Sequence, residues 1–469
     1  MSEAPAKPPE HPNSGMRGTD LTVGSIPRHL VIFSLPMLAG SLIQTAYGIV
    51  NAIWVGRGLG TEAMAAITVI FPVIFVLFAL AAGLSMAVSI IVSQRFGARD
   101  REGVQRAIRN GISLTAMAAL LCVVLGHSLA DELLSLMQTP ADVLPSAIDY
   151  MRLFIWTTPF MFGIFLLAAV LRGVGDARTP LWFQAVSLLL TVVLDPILMF
   201  GWLGMPRLGL NGTAIATIIS QALALFTLVW YLRKTRHIAL PELRGRWLEH
   251  DMVLLILKVG IPSMLQQVMV SVGMVVVIGL VNGFGKNATA AFGASMRLDQ
   301  LAFMPAMTLG MAMSNIAGQN IGAGKFDRVR QVFFWGLAFI LAITIVPSLL
   351  AAFVPGLVLR AFLTDPEVIQ IGVGYLHVMS IAYLLFATMF ASNGVINGSG
   401  HTLATTGFTL LGMWGIRIPL AFWMVSYFHQ VEGIWYAMLI SIACGTTASL
   451  AYFFSGRWQV PVRGATRPT

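Results

Sequence analysis

Charge is scarce in this chain. Asp, Glu, Lys and Arg make up only 10% of its 469 residues, whereas hydrophobic residues make up 57% and the mean hydropathy is +0.81. A soluble domain carries about 25% charged residues to cover its surface, so a soluble fold is excluded. Cysteine is nearly absent as well. Cys122 and Cys444 both lie in apolar runs, which leaves no disulfide framework and no metal-cluster spacing. The polar N-terminal stretch 1–28 has no apolar core followed by a small-residue cleavage site, so it reads as a short tail and not as a signal peptide. No GxxxxGK[ST] phosphate loop is present. Gly283-Phe-Gly285-Lys286 lacks both the spacing and the following Ser or Thr, which argues against direct driving by ATP. His127 and Asp131 are one residue too close for the His-x4-Asp pairing of acyltransferases, and the short loops hold no other catalytic dyad, so the chain does not read as an enzyme. Strands that alternate polar and apolar residues in segments of about 10, the mark of a membrane barrel, are missing too.

What the chain does have is long apolar segments near the roughly 20 residues that cross a bilayer as a helix. Hydropathy places twelve, near 29–55, 63–92, 107–130, 147–171, 180–202, 211–232, 252–281, 289–318, 332–355, 371–396, 403–427 and 432–455. An all-α polytopic membrane protein follows. An even number of crossings puts both termini on one side. That side collects 21 Lys and Arg residues against four on the other (Arg57, Arg207, Lys286 and Arg360), which predicts cytoplasmic termini. The net charge of +9 is spread over those short loops, and nothing in it forms a nucleic-acid surface.

The chain repeats itself. Laying 84–104 on 309–329 gives 9 identities in 21 positions, including Gln94 on Gln319 and Gly97-Ala98 on Gly322-Ala323. The same shift pairs Tyr150 with Tyr375 and Gly173-x-Gly175 with Gly398-x-Gly400. Each copy holds six spans, so the expected fold is two six-helix bundles related by a pseudo-two-fold along the membrane normal. The predicted organisation is a tail at 1–28, an N-lobe at 29–232, a basic linker at 233–251, a C-lobe at 252–455 and a tail at 456–469. A cavity between two such bundles suits alternating-access transport of a small molecule. Without an ATP site, the energy comes from an ion gradient.

Ionisable groups at bilayer depth cost about 2.5–3.5 kcal/mol on insertion scales, so each is a candidate functional group. Arg152 and Lys258 lie near span ends, where long side chains reach the interface. Asp195 sits inside the fifth span beside Pro196, whose missing amide frees a carbonyl and bends the helix. A carboxylate in so apolar a place is a group that takes up and loses a proton during a cycle. In the second half Arg297, Asp299 and Arg417 also lie at depth; a cross-helix pair of Asp299 with Arg417 is expected, either as a structural tie or as a second coupling or substrate site. Pro36, Pro72, Pro159, Pro262, Pro305 and Pro419 interrupt spans, as in helices that line transport cavities. The 25 methionines, with Phe71, Phe75, Phe154, Trp156, Phe160 and Phe162, form either an adaptable apolar binding surface or ordinary packing.

Several of these segments carry a resemblance. Leu35-Pro36, Val50-Asn51-Ala-Ile-Trp-Val-Gly56, Gly60-x-x-Ala63-x-Ala65-Ala66, Gln94-x-x-Gly97-Ala98, Arg172-Gly173-x-Gly175-Asp176, Gln319-Asn320-Ile-Gly322-Ala323-Gly324 and Asn397-Gly398-x-Gly400 are similar to motifs of the multidrug and toxic compound extrusion (MATE) transporters. The resemblance spans all twelve segments. It implies a secondary antiporter, without a cofactor, that exports amphipathic or cationic drugs or toxic metabolites in exchange for protons or sodium ions. It also implies a monomer in the bacterial inner (plasma) membrane, acting on drug-like small molecules within the lipid bilayer. A lipid-linked oligosaccharide flippase of the same superfamily and, more remotely, a membrane-embedded transferase are the alternatives.

Within the family the chain most resembles the DinF branch, because the seventh span (Ile261-Pro262 to Gln266-Gln267) and the tenth lack the carboxylates of the NorM branch. The DinF resemblance implies a coupling cluster in the first, fifth and sixth spans. The fifth-span aspartate matches Asp195, the sixth-span threonine matches Thr213, and the fifth-span asparagine is Thr191 here. The first-span aspartate is replaced by Asn51. One anionic ligand in place of two suits a proton better than sodium, with Pro36 and Pro196 as the bending points.

Overall fold

The computed structural model describes residues 18–459 except 138 and 243, and at 52, 57 and 61 the backbone alone. The fold is 85% helix, with no strand among the described residues. Among the described residues, twelve helices are long and apolar enough to cross a membrane. The first six are Ile26–Gly56, Glu62–Gly97, Arg101–Ser128, Leu144–Gly173, Arg178–Phe200 and Leu210–Lys234. The second six are His250–Asn282, Lys286–Gly322, Phe326–Phe353, Pro366–Gly398, Thr402–Phe428 and Glu432–Phe454. With no water in hydrocarbon to satisfy free amides and carbonyls, each apolar run closes its own backbone bonds as a helix. The expected tails 1–28 and 456–469 fall outside the described residues up to 17 and from 460 onward.

Two spans are not uniform. The fourth tightens into a 3-10 turn at Ile155–Thr157, directly before Pro159, which cannot donate a backbone bond. The eleventh widens into a π-helix at Leu411–Arg417, ahead of Pro419. Such wide turns leave carbonyls free and often mark functional places. Pro36 and Pro196 lie inside helices that continue past them.

The 3.6-residue period sorts each helix into a packed and an exposed face. The second span packs on the fourth, the seventh and the eighth, and the tenth packs on the eighth, the ninth and the twelfth. The lobes interlock at the end of the molecule that carries the termini. Leu21, Ile26, Leu30 and Phe33 share a core with Ile316, Val329 and Phe333 of the second half. Reciprocally, Met252, Leu255, Ile256 and Val259 share a core with Val88, Val92 and Ile108 of the first half.

The repeat explains this joint. Gln94 Nε2 donates to the Gly398 carbonyl at 2.7 Å, and its counterpart Gln319 Nε2 donates to the Gly173 carbonyl at 3.0 Å. A Cβ at Gly97 would stand 1.9 Å from the Gln319 carbonyl oxygen, and one at Gly322 would stand 1.9 Å from that of Gln94. Two helix backbones therefore touch at this level, and only glycine permits it. Ser89 Oγ reaches Asn315 Oδ1 at 2.8 Å one layer further in, and Thr45 Oγ1 reaches Met304 Sδ at 3.7 Å beyond that. Among the described residues no hydrogen bond joins the lobes past this level, and Gly48 has open space where a Cβ would point. The lobes are clasped at the terminal side and apart at the other.

The described end of the expected tail, around Leu21 and Thr22, and the linker are both held in place. The Leu21 amide donates to Gln319 Oε1 at 2.9 Å, and Lys325 Nζ donates to the Thr22 carbonyl at 2.9 Å. In the linker, the Glu249 amide donates to Asn110 Oδ1 at 2.6 Å and the Glu242 amide to Gln105 Oε1 at 2.8 Å, which fastens it to the third span.

Candidate functional site

Asp195 is fully buried inside the N-lobe. Asn51, from the first span, donates through Nδ2 to Asp195 Oδ2 at 3.0 Å. The other carboxylate oxygen, Oδ1, is buried with no hydrogen-bond partner among the described residues. Buried polar atoms are nearly always paired, so this unmatched acceptor marks a place where a proton or another cation fits. The amide of Asn51 must turn its N–H toward the carboxylate, so it offers no oxygen to a metal ion at that point.

The two threonines are nearby but differently engaged. Thr191 Oγ1 donates to the Ser187 carbonyl at 2.8 Å, one turn back on its own helix, and Thr213 Oγ1 donates to the Leu210 carbonyl at 3.0 Å. Neither donates to Asp195. Both are buried, at 3% and 2% exposure.

Two tyrosines complete the site that the charge search missed. Tyr47 stands four residues before Asn51 on one face of the first span, and Tyr150 comes from the fourth span. Both lie within electrostatic reach of Asp195; Tyr150 pairs with Thr213 and Tyr47 with Thr217. The signal that could have found Tyr150 is its repeat partner, Tyr375, which contacts the intramembrane acid of the other lobe. Trp54, one turn beyond Asn51, packs edge-on against Phe200 and Trp202.

In the C-lobe the expected pair is not formed. Asp299 accepts hydrogen bonds from the Tyr375 hydroxyl at 2.5 Å and the Tyr383 hydroxyl at 2.6 Å. Arg417 donates through Nε to Ser441 Oγ at 2.8 Å. It neighbours Tyr375, so acid and base are linked through a tyrosine and not by an ion pair. The tenth span supplies two donors at eight-residue spacing, which satisfy both carboxylate oxygens before Arg417 can reach them. Arg297 is separate: it is exposed, on the opposite face of the eighth span from Asp299.

The aromatic residues do not gather into one surface either. Phe162 is core, Phe160 packs on Phe226, Trp156 on His127 and Phe154 on Tyr150. Arg152 forms a half-exposed ion pair with Asp131 at 3.0 Å.

A model of the MatE family matches residues 36–197 and again 262–423, once per lobe. The chain belongs to the MatE family. A probable multidrug resistance protein, YoeA of Bacillus subtilis (strain 168), is 32% identical over 92% of this chain and 94% of its own length. The FAD transporter of Shewanella oneidensis is 27% identical over 95% of this chain and 97% of its own length. A MOP superfamily transporter from Pyrococcus furiosus shares the fold, with a TM-score of 0.85 at 24% identity over 95% of this chain and 98% of that one. This MatE protein is therefore a multi-pass membrane transporter of the multidrug efflux family, and not an enzyme.

Proposed function

We propose that this MatE protein is a proton-coupled antiporter that exports amphipathic drugs or toxic metabolites by alternating access, with Asp195 as the proton carrier. The observation that carries the reading is the buried, unpartnered Oδ1 of Asp195 beside the single donor Asn51. An ionised carboxylate there lacks the second charge or oxygen set that sodium requires, whereas a proton on Oδ1 removes the cost of burying the charge. The excess of Lys and Arg on the terminal side supports cytoplasmic termini, and on this reading the protein acts as a monomer in a bacterial inner membrane. The clasped end then faces the cytoplasm, and the lobes part toward the outside.

Protonation of Asp195 from outside removes a buried charge from the N-lobe. The first and fifth spans, hinged at Pro36 and Pro196, then repack and the cargo leaves. Release of the proton inside resets the cycle. The test is ethidium efflux from energised cells with wild type and Asp195→Asn, with a protonophore and with sodium varied separately. Efflux lost in the variant and with the protonophore, and indifferent to sodium, is the expected result. Efflux that follows sodium and survives the protonophore refutes proton coupling.

A further inference from the structure

We propose that Arg297 is an anion-binding residue of the cavity wall, so that the cargo includes amphipathic organic anions or zwitterions: an apolar body carrying a carboxylate, sulfonate or phosphate. This rests on the exporter reading above.

The direction of Arg297 follows from its register. At 100° per residue, Met304, Thr308 and Asn315 fall within about 20° of Arg297 on the eighth span. Each of those three touches the N-lobe: Met304 through Thr45, Thr308 through Ser41 at 3.4 Å, and Asn315 through Ser89. The stripe that carries Arg297 is thus the face turned toward the N-lobe, continued past the last interlobe contact to where the lobes part. Gly293, one turn further out, has nothing within 4 Å of a Cβ, so space is open beside the guanidinium. Gln300 is exposed on the inner side and adds a second polar group.

The depth is informative. Arg297 lies seven residues beyond Met304, about 10 Å along the helix, and Asn51 lies six beyond Thr45, about 9 Å. Arg297 therefore stands at the level of Asp195, eleven residues in from the helix start at Lys286, about 16 Å and too deep for its head to reach an interface. No ion pair or hydrogen bond to Arg297 is formed among the described residues. Asp195 does not neutralise it, being enclosed behind Asn51, and Asp299 is closed off by its tyrosines. A cation kept at midplane with no counter-charge in the protein is costly to retain unless a ligand supplies one. Guanidinium matches carboxylate, sulfonate and phosphate with two parallel donors.

The experiment uses purified full-length protein in nanodiscs of uncharged phosphatidylcholine. Binding of carboxyfluorescein, an aromatic carboxylate, and of ethidium, an aromatic cation, is read by anisotropy for wild type, Arg297→Gln and Arg297→Lys. Loss of one charged hydrogen-bond donor set should weaken carboxyfluorescein about tenfold to a hundredfold in Arg297→Gln. Ethidium binding should hold or tighten, and Arg297→Lys should keep most of the anion affinity. Arg297 makes no bond that the substitution removes, so folding is preserved. Wild type that binds ethidium but not carboxyfluorescein, or Arg297→Gln that binds both dyes unchanged, overturns the proposal. Anion binding without efflux of either dye in vesicles keeps the arginine site and removes the exporter reading; ethidium efflux without anion binding does the reverse.

Discussion

Replacing Gly97 with alanine should drive the transporter out of the clasped state. The added Cβ would stand 1.9 Å from the Gln319 carbonyl oxygen, with the carbonyl carbon at 2.6 Å and Cα at 2.7 Å. All three obstacles are backbone, so no rotamer change relieves them. Ordinary contact begins near 3.4 Å, so the second and eighth spans must move apart until the 1.9 Å approach reaches that distance. That displacement takes the Gln94 amide, now 2.7 Å from the Gly398 carbonyl, beyond hydrogen-bond reach, and it parts Gln319 from Gly173, now at 3.0 Å, in the same way. Each buried amide left unpaired costs about 1–3 kcal/mol, and the overpacking itself about 1–3 kcal/mol. The total, about 3–9 kcal/mol, brackets the ~5.5 kcal/mol that moves a two-state equilibrium from 99:1 to 1:99. In a state where these helix ends have parted, the alanine costs nothing. Spin labels at Glu102→Cys and Asp327→Cys, exposed repeat partners on the clasped side, report the separation in a background free of Cys122 and Cys444. The short-distance population of the parent should give way to a longer one, and ethidium efflux should slow. Gly322→Ala, which meets the Gln94 carbonyl oxygen at the same 1.9 Å, should do the same. A distance distribution identical to the parent in both variants refutes the argument.

Gln319→Ala should open the clasp more than Gln94→Ala in the same label measurement, because Gln319 also accepts the Leu21 amide. Tyr383→Phe removes the donor to Asp299 Oδ1 and should cost about 1.5–3 kcal/mol, seen as a lower thermal midpoint by fluorescence-detected gel filtration; Asp299→Asn in that background should recover part of the loss. Burial alone would raise the Asp20 carboxyl, but the hydroxyl and amide of Thr22, with Arg99 and Lys325 nearby, outweigh it and hold the group below the usual carboxylate range. A depressed carboxyl stabilises the docked segment above its unfolded value and loses that contribution as pH falls through the folded one. A spin label at Val23→Cys should therefore stay immobile from pH 8 to about 5 and gain mobility only below about pH 4.

The spans were legible because hydrocarbon imposes one rule on the whole chain, but their ends were not. Hydropathy placed the eighth span at 289–318, whereas the helix runs Lys286–Gly322. Helical bonding continues past the apolar run at both ends, to Lys286 on one side and into the clasp at Gly322 on the other. The clasp was legible as a repeat, since a backbone-to-backbone contact needs glycine on both sides and so leaves Gly97 and Gly322 at matched positions. Asp195 was legible as a charged group in an apolar span, and Asn51 only through the family resemblance, at the position of the first-span aspartate. Thr191 and Thr213 were placed near them, yet their hydroxyls turn to carbonyls of their own helices, which are always closer than a neighbour. The C-lobe error has the same origin. Opposite charges invite pairing on paper, but which helix faces Asp299 depends on packing, and Tyr375 and Tyr383 occupy it first.

Symmetry is kept in the clasp and abandoned at the midplane. Gln94, Gly97 and Gly173 each have an identical partner at the matching position of the second half, and the partners exchange equivalent contacts across the pseudo-axis. A joint built this way breaks as a unit, because parting one helix pair releases both glutamines at once, which favours two discrete states over a continuum. At the midplane the copies diverge: Asp195 falls on Leu420 or Ala421 and Arg297 on Pro72 or Phe71, depending on whether the halves are laid with or without one residue of slippage. On the proposed reading the proton sits inside one lobe and the charged end of the cargo against the other. The two do not compete for one spot. Exchange between them then requires that each change the energy of the lobe arrangement, and the clasp is the element through which both must act.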